Sequence, residues 1–412
     1  MRSTTLLSII LGLKNARVCS VEIGDLGIVA LVAPSTRIPR CSGCYRRVEQ
    51  IYDRRERQWR HLDLAGMELT LKCNLRRVNC ANCGVRAELV PWAEPAARHT
   101  KDFEEHLAYL AQRADKTTIS ATMRVTWRTV GSVVARVIAR RQAGTDRLDG
   151  LTHIGVDELS YRRHHEYVTV VVDHVAGAVV WVRPGKNADT LRGFFTELGA
   201  ERTKNLEAVT IDMSGAYIKA VTEMSPEARI IFDRFHVQRL AHEALDEVRR
   251  DEVRKVAGTA EHKALKQTRW ALQKNPWNLT KLDEAKVARA AQVNKPLYRA
   301  YLLKSSVVEI LGGRQPNVAR SKLTEWISWA RRSRLTPFVR LSRTIAKHID
   351  GIVAYVATGL SNARTEGING KIRTITRRAF GFHSAAGLIG LIFLCCSGLK
   401  LSPIIKMPFL HP

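Results

Sequence analysis

The sequence predicts a multidomain α/β protein in which two small N-terminal modules precede a larger core. Three observations support this prediction. Two C-x-x-C pairs lie within residues 41–83, three short helical patterns follow between residues 100 and 140, and strands alternate with helices from about residue 150 onward. Because that alternation is typical of α/β domains, we expect the core to be a sheet covered by helices.

The chain carries a large excess of positive charge. Its 412 residues contain 66 Lys and Arg against 39 Asp and Glu, which gives a formal net charge of +27. A surplus of this size is typical of proteins that neutralise nucleic acid. A membrane surface, or a basic protein without a polyanionic partner, is the alternative.

Two apolar stretches are too short to span a membrane. Residues 6–13 are followed at once by Lys14 and Arg17 and lack a cleavage site, so we interpret them as structure and not as a signal peptide. Residues 385–399 fall short of the roughly 20 residues that a bilayer requires, and we expect a buried core helix there. The sequence therefore predicts a cytoplasmic protein with no membrane partner.

Residues 1–95 are predicted to form a β-rich zinc-ribbon domain. In a large basic chain, paired C-x-x-C motifs favour a metal site over disulfides, and four thiolates are the ligands of one structural Zn²⁺. Cys73 and His61 remain open as competing ligands, whereas Cys19, Cys395 and Cys396 are expected to be core residues. The four predicted ligands are Cys41, Cys44, Cys80 and Cys83.

Residues 96–145 are predicted to form a helix-turn-helix DNA-binding domain. Thr100 is a suitable N-cap for a first helix, a short second helix covers residues 117–123, and a third helix begins at Thr126. Apolar residues of the third helix recur at i, i+3, i+4 and i+7, which defines its buried face. A helical subdomain without a DNA-binding role is the alternative. The DNA contacts predicted on the opposite face are Trp127, Arg128 and Arg136.

The rest of the chain is predicted to be one α/β core that is split by an insertion. Residues 150–238 show three consecutive strands and then strands that alternate with helices, which is the order of an RNase H-like sheet. Residues 239–355 show only helical patterns rich in Lys and Arg, which predicts an all-helical insertion. Residues 356–400 return to the core. Most tryptophans of the insertion are expected to pack between helices; they are Trp270, Trp277, Trp326 and Trp329.

Two strands of the core deliver a carboxylate near their ends. Side chains alternate along a strand, so Gly155 shares one face with Asp157, and Thr210 and Asp212 repeat that arrangement. Neighbouring strands would bring the two acids together at the edge where α/β sheets build sites. Two Mg²⁺ or Mn²⁺ ions prefer such oxygen ligands and can promote phosphate chemistry. A turn or cap role for each aspartate is the alternative.

A third acid, Glu366, is predicted to lie on the polar side of a helix whose apolar side packs on the sheet. Arg373 and Arg377 fall on the same polar side and are expected to contact a DNA backbone. Asp233 remains open as a fourth acid. His236 either contacts the site or caps the helix that follows, and we expect the cap. The three acids predicted to hold the metal ions are Asp157, Asp212 and Glu366.

Motifs along nearly the whole chain resemble those of the ISL3-family insertion-sequence transposases. The most specific match is Ser361-Asn-Ala-Arg-Thr-Glu-Gly-Ile-Asn-Gly-Lys-Ile-Arg373 with Ala379-Phe-Gly-Phe382. The other matches are the two cysteine pairs, Thr126-Trp-Arg-Thr-Val130, His153-Ile-Gly-Val-Asp-Glu158, Thr210-Ile-Asp-Met-Ser214 and Phe232-Asp-Arg-Phe-His-Val237.

The resemblance implies a DDE transposase of RNase H-like fold with a helical insertion before the glutamate. The family's acids then fall on Asp157, Asp212 and Glu366. The resemblance also implies binding to terminal inverted repeats, metal-dependent strand cleavage, transfer into target DNA, and at least a homodimer, because two ends must be joined. A catalytically silent DNA-binding regulator and an RNase H-like structure-specific nuclease are the two alternatives.

Overall fold

The N-terminal sheet is organised around a long antiparallel hairpin. Its two strands, β3 (Ile51–Leu64) and β4 (Met67–Cys80), occupy the β-rich segment expected between the cysteine pairs. The strand order is β1-β2-β4-β3, and β5 pairs antiparallel with the last residues of β4. The remaining elements here are α1 (Ser3–Leu11), β1 (Ala16–Gly24), β2 (Gly27–Pro34) and β5 (Gly84–Ala87). The computed structural model describes residues 3–25, 27–162, 166–360, 362–382 and 384–404.

Three helices follow the sheet at the predicted positions. Each begins after a side chain that caps it: Thr100, Asp115 and Thr126 accept hydrogen bonds from backbone N–H groups of their first turns. Such caps satisfy donors that the helix itself leaves unpaired, which is why these residues set the helix starts. The helices are α2 (Lys101–Ala111), α3 (Lys116–Met123) and α4 (Trp127–Arg141).

A second five-stranded sheet forms the centre of the chain. Its strand order is β10-β9-β6-β7-β8, with β6 in the middle. β6 pairs antiparallel with β7 and parallel with β9, so the two halves of the sheet differ in strand direction. The strands are β6 (His153–Arg162), β7 (Glu166–Asp173), β8 (Ala178–Pro184), β9 (Ala208–Ile211) and β10 (Arg229–Phe232).

The two faces of this sheet are covered by different helices. Ile154 and Val156 pack on one face into a core that continues through the helices of the later chain. Val168, Val170 and Val172 pack on the other face into a core shared with the three N-terminal helices. The sheet is therefore buried on both sides, which explains its nearly continuous apolar runs. The helices between its strands are α5 (Ala188–Leu198), α6 (Ala200–Thr203) and α7 (Gly215–Met224).

The segment between β10 and the helix of Glu366 is helical throughout, with no strand in its described residues. The predicted border between residues 238 and 239 lies inside α8, which begins at Arg234. Of its tryptophans, only Trp326 is buried, so the expectation that most of them pack between helices was wrong. The exposed ones are Trp270, Trp277 and Trp329. Besides a short 3-10 turn (Pro276–Asn278), the helices are α8 (Arg234–Lys255), α9 (Ala260–Lys266), α10 (Arg269–Gln273), α11 (Lys281–Val293), α12 (Lys295–Leu311), α13 (Pro316–Arg332), α14 (Thr336–Lys347) and α15 (Ile349–Thr358).

The last two helices lie on the second face of the central sheet. α16 (Ala363–Arg378) carries Glu366, while Ser361, the first residue of the motif that resembles the ISL3 family, lies outside the described residues. α17 (Ala385–Cys396) is apolar because β8 contacts one side of it and α4 the other, so the predicted buried core helix is confirmed. No helix among the described residues is long and apolar enough to cross a membrane.

Candidate active site and metal centres

Four cysteine thiols converge at the end of the long hairpin. Their sulfur atoms all lie within 4.8 Å of one another, and Cys44 Sγ lies 3.5 Å from Cys80 Sγ. Tetrahedral zinc with bonds of about 2.3 Å requires sulfur–sulfur separations of about 3.8 Å, so this donor set fits Zn²⁺. The Gly43 N–H donates to Cys41 Sγ at 3.4 Å, and the Asn82 backbone N–H lowers the pKa of the Cys80 thiol to about 7. Both contacts favour the thiolate that a metal requires.

The structure excludes both competing zinc ligands. Cys73 lies in the core of the N-terminal sheet, where burial raises its pKa to about 12. His61 is also buried, with Nδ1 at 2.7 Å from the Thr100 hydroxyl, and neither residue belongs to the four-thiol cluster. One expectation was wrong: Cys19 is exposed, because it lies on the edge strand β1, whereas Cys395 and Cys396 are buried as predicted.

Strand register sets Asp157 and Asp212 side by side. Gly155 of β6 is paired with Thr210 of the parallel strand β9, and each aspartate follows two residues later. Asp212 comes directly after the last residue of β9, where its Oδ1 accepts the Ser214 N–H at 3.0 Å. Because residues two apart point to the same face, both carboxylates lie on the face that α16 covers.

Helix α16 is fixed against these strands by buried polar contacts. The Thr210 hydroxyl donates to Asn362 Oδ1 at 2.8 Å, and Asn369 Nδ2 donates to Asp157 Oδ2 at 2.5 Å. Asn369 lies one helical turn after Glu366, so the same turn that carries the glutamate contacts the first aspartate. Asp157 therefore lies near the helical turn that carries Glu366, and it also lies near Asp212.

Gly155 permits this close approach of α16. A Cβ atom at this position would lie 2.3 Å from Thr365 Oγ1 and 2.9 Å from His174 Nε2, closer than real contacts allow. Thr365 is fully buried and has little room to move. A glycine inside a strand often marks such an approach, and this signal was available in the sequence.

Burial and nearby negative charge raise the pKa values of Asp157 and Glu366. Burial raises the pKa of Asp157, and the charge of Asp212 raises it further, although the Glu158 N–H, His236 and Arg373 lower it. Burial also raises the pKa of Glu366, and Asp233 and Asp157 add to that effect. Such shifts are typical of functional sites, where a bound cation offsets the repulsion.

Asp233 and His236 lie near the acids, and the expectation that His236 caps α8 was wrong. Asp233, not His236, caps α8, with its Oδ1 accepting the Phe235 N–H at 3.3 Å. The charge of His236 lowers the pKa of Asp157, Asp233 and Glu366, so its ring lies near all three carboxyl groups. Asp233 is fully buried, and its Oδ2 has no hydrogen-bond partner. A fourth acid and a histidine therefore border the site.

Of the five side chains predicted to contact DNA, four are exposed to solvent and one forms an ion pair within the protein. Trp127 and Arg128 are exposed at the start of α4, and Arg373 and Arg377 are exposed on α16. Arg136 instead forms an ion pair at 2.7 Å with Glu104, whose side chain is fully buried. Because a buried carboxylate needs a partner, we assign Arg136 to the packing of α4 on α2.

An N-terminal zinc ribbon, a helix-turn-helix and an α/β domain with clustered carboxylates define a DNA-processing enzyme of the transposase class. The model described as "Transposase" for the ISL3 type matches residues 154–392. The zinc-finger of transposase IS204/IS1001/IS1096/IS1165 matches residues 37–83, and the helix-turn-helix domain of transposase family ISL3 matches residues 88–138.

Named relatives agree with these matches. The chain is 40% identical to the transposase for insertion sequence element IS1557 of Mycobacterium tuberculosis, over 97% of this chain and 96% of that protein. It is 28% identical to the transposase for insertion sequence element IS1001 of Bordetella parapertussis, over 85% of this chain and 87% of that protein. The chain therefore belongs to the ISL3 family of transposases, and it is a DNA transposase, an enzyme of DNA cleavage and strand transfer.

Proposed function

We propose that Asp157, Asp212 and Glu366 are the catalytic acids of this transposase and hold two Mg²⁺ or Mn²⁺ ions. The observation that supports this most is the docking of α16 on β6, which hydrogen-bonds Asn369 to Asp157 one turn from Glu366. Asp212 joins them through the register of β6 and β9. These acids come from distant parts of the chain, and each is half-buried, so bringing their charges together is unfavourable unless a cation offsets the repulsion.

The spacing of the acids favours two ions over one. Within the described residues, only the four cysteines bring three or more ligand atoms within 4.8 Å of one another, so the three carboxylates do not all lie that close together. A single octahedral ion holds its ligands no more than about 4.2 Å apart, whereas two-metal sites place ions about 4 Å from each other. When bound, the ions would supply a nucleophilic hydroxyl and neutralise charge at the phosphate.

We further propose that the acids lie in an RNase H-like core interrupted by the helical segment. The order β10-β9-β6-β7-β8, with β7 antiparallel to the central strand, supports this assignment. The proposed domains are residues 1–95 (zinc ribbon), 96–145 (helix-turn-helix), 150–238 and 356–400 (core), and 239–355 (insertion).

In the proposed reaction, the zinc ribbon and the helix-turn-helix bind the terminal inverted repeats of the element. Trp127 and Arg128 contact that DNA, while Arg373 and Arg377 position phosphates beside the acids. Cleavage by water at an element end frees a 3′-hydroxyl, which attacks a target phosphate and displaces its leaving oxygen. Two ends must be joined, so we propose a homodimer or larger assembly on DNA.

Substitution of Asp157 tests this proposal. Asp157→Ala should reduce Mg²⁺-dependent cleavage of an end-containing duplex by at least about 1,000-fold while end binding stays intact, because the acid serves the transition state and not DNA recognition. Asp173→Ala is the matched control, since Asp173 also ends a strand of this sheet but only accepts the Val175 N–H. Cleavage by Asp157→Ala at the wild-type rate would refute the assignment.

A further inference from the structure

A cleft lies between the helix-turn-helix and the end of α16. Its volume is about 280 Å³, and it is bordered by the first turns of α3 and α4 and by the turn that joins α16 to α17. Its lining combines aromatic rings with a lysine, hydroxyl groups and the carboxylate of Asp115, which accepts hydrogen bonds from the first turn of α3. The residues used below are Lys116, Trp127, Phe380, Phe382 and Ser384.

The ring of Phe380 is exposed to solvent at the end of α16. Its side chain is 94% exposed, the most of any large apolar residue among those described. Its backbone adopts a left-handed conformation with φ of 54°, which a residue other than glycine rarely adopts, and Gly381 follows with φ of 104°. This conformation ends α16, because the Phe380 N–H donates to the Arg377 carbonyl at 3.1 Å and the Gly381 N–H donates to the Thr376 carbonyl at 3.2 Å. The same turn leaves the Phe380 ring in water.

Trp127 presents a second ring at the same cleft. It is 47% exposed at the first residue of α4, the helix expected to contact DNA. Lys116 adds positive charge to the lining, and Arg377 is exposed on the last turn of α16. Aromatic faces beside cationic side chains are the chemistry that binds single unpaired bases and the phosphates next to them.

We infer that this cleft binds one unpaired nucleobase of the terminal DNA, stacked against Phe380. The inference rests on the proposed function, which brings a DNA end to α16. A base fits the volume and would cover the exposed ring, while Lys116 and Ser384 offer donors to its edge. The net charge of +27 favours DNA as the occupant of the cleft.

The cleft keeps a fixed distance from the acids. Arg378 donates at 3.0 Å to the carbonyls of Ala111 and Gln112, and Gln112 Nε2 donates to the Leu394 carbonyl at 2.8 Å. These contacts join the helix-turn-helix to α16 and α17. Fourteen residues separate Glu366 from Phe380, a rise of about 21 Å along a helix. The bound base should therefore lie about six nucleotides from the cut.

Binding to orphan-base duplexes tests the inference. Each probe is a duplex of the element's own end in which one base, three to nine nucleotides from the cut, faces an abasic site. Removing the pairing partner removes the cost of unpairing, so the full chain should bind one probe near the sixth nucleotide about tenfold more tightly than intact duplex. Deleting the orphan base itself should cancel that gain. Binding is measured without Mg²⁺, so no cleavage occurs.

Variants decide whether Phe380 is responsible. Phe380→Ala should lose the preference for that probe, and Phe380→Trp should retain it, because a tryptophan ring also stacks. Trp277→Ala is the matched control, since Trp277 is an exposed ring that does not line the cleft, and its preference should equal that of the wild type. Circular dichroism confirms that each variant is folded.

Three outcomes would overturn the inference. They are equal affinity for all probes, an undiminished preference in Phe380→Ala, and a change in oligomeric state of Phe380→Ala with unchanged DNA binding. The last outcome would assign the cleft to a second copy of the chain. Failure of the proposed acids would instead appear as Asp157→Ala cleaving normally, which this metal-free binding measurement does not involve.

Discussion

The cysteine cluster and the carboxylate cluster are assembled in opposite ways. Four sulfur atoms meet within 4.8 Å, and all come from two short knuckles at one end of the N-terminal sheet. The three acids come from β6, from the end of β9 and from α16, and they do not all lie within 4.8 Å of one another. A metal would complete the small module in the first case, whereas in the second the fold must first bring repelling groups together.

The zinc ion would therefore help the N-terminal module to fold, whereas the three acids must be held together by the rest of the fold. A thin module with a small core depends on its metal for stability. The acids instead depend on buried contacts such as that of Asn369 with Asp157 and on the space left by Gly155. Breaking one centre should therefore leave the other intact, and the next four substitutions test this from the largest expected effect to the smallest.

Glu366→Gln should have the largest effect on activity. The substitution keeps the size of the side chain but removes a ligand charge, so Mg²⁺-dependent strand cleavage should fall by at least about 1,000-fold. Zinc content, measured by atomic absorption, should stay at one ion per chain. Loss of zinc together with cleavage would contradict the independence of the two centres.

Cys80→Ser should break the other centre. Removing one of four thiolates should release zinc and weaken end binding by about 100-fold in a gel-shift assay, because the ribbon loses the bonds that hold it. Cys19→Ser is the control, since Cys19 is exposed and outside the cluster. Binding of Mn²⁺ at the acids should remain unchanged. An unaltered zinc content in Cys80→Ser would show that the cluster is not the zinc site.

Gly155→Ala should loosen the acids without removing any of them. The added methyl group collides with Thr365 Oγ1, so α16 must shift, and a displacement near 1 Å can lower cleavage by about 100-fold. Thr365→Ala in the same chain should restore part of the rate. Gly367→Ala is the matched control, because a Cβ atom there meets nothing within 4 Å. Wild-type cleavage by Gly155→Ala would mean that α16 is not held as described.

Asp157→Asn should raise stability while it removes activity. Burial raises the pKa of Asp157, so the folded chain binds this proton more tightly than the unfolded chain. The free energy of unfolding therefore falls as the pH rises through and above the ordinary carboxyl range. In Mg²⁺-free buffer at pH 7, Asp157→Asn should melt roughly 2 °C higher than the wild type, and the difference should shrink toward pH 4. A lower melting temperature at pH 7 would contradict this sign.

The sequence predicts best what depends on neighbours along the chain. The cysteine ligands follow from two C-x-x-C motifs, and the starts of α2 and α4 follow from the caps Thr100 and Thr126. The alternation of side chains along a strand predicted that Asp157 and Asp212 lie close together. That prediction requires only the two-residue period of a strand and the pairing of β6 with β9.

Contacts between distant segments could not be predicted in the same way. Nothing local shows that Arg136 would pair with a buried Glu104 on another helix, or that His236 would face the acids while Asp233 caps α8. Helix α17 is likewise apolar because it packs against β8 and α4, which are remote from it in sequence. Nothing in the motif Ala379-Phe-Gly-Phe382 indicates that the side chain of Phe380 would be exposed.

The most direct test of the carboxylate site is anomalous diffraction from Mn²⁺ in crystals of the full chain bound to an end duplex. We predict Mn²⁺ at about 2.1 Å from carboxylate oxygens of Asp157, Asp212 and Glu366, with two ions about 4 Å apart. Mn²⁺ bound without any of these three acids, or Glu366 turned away from the ions, would contradict it.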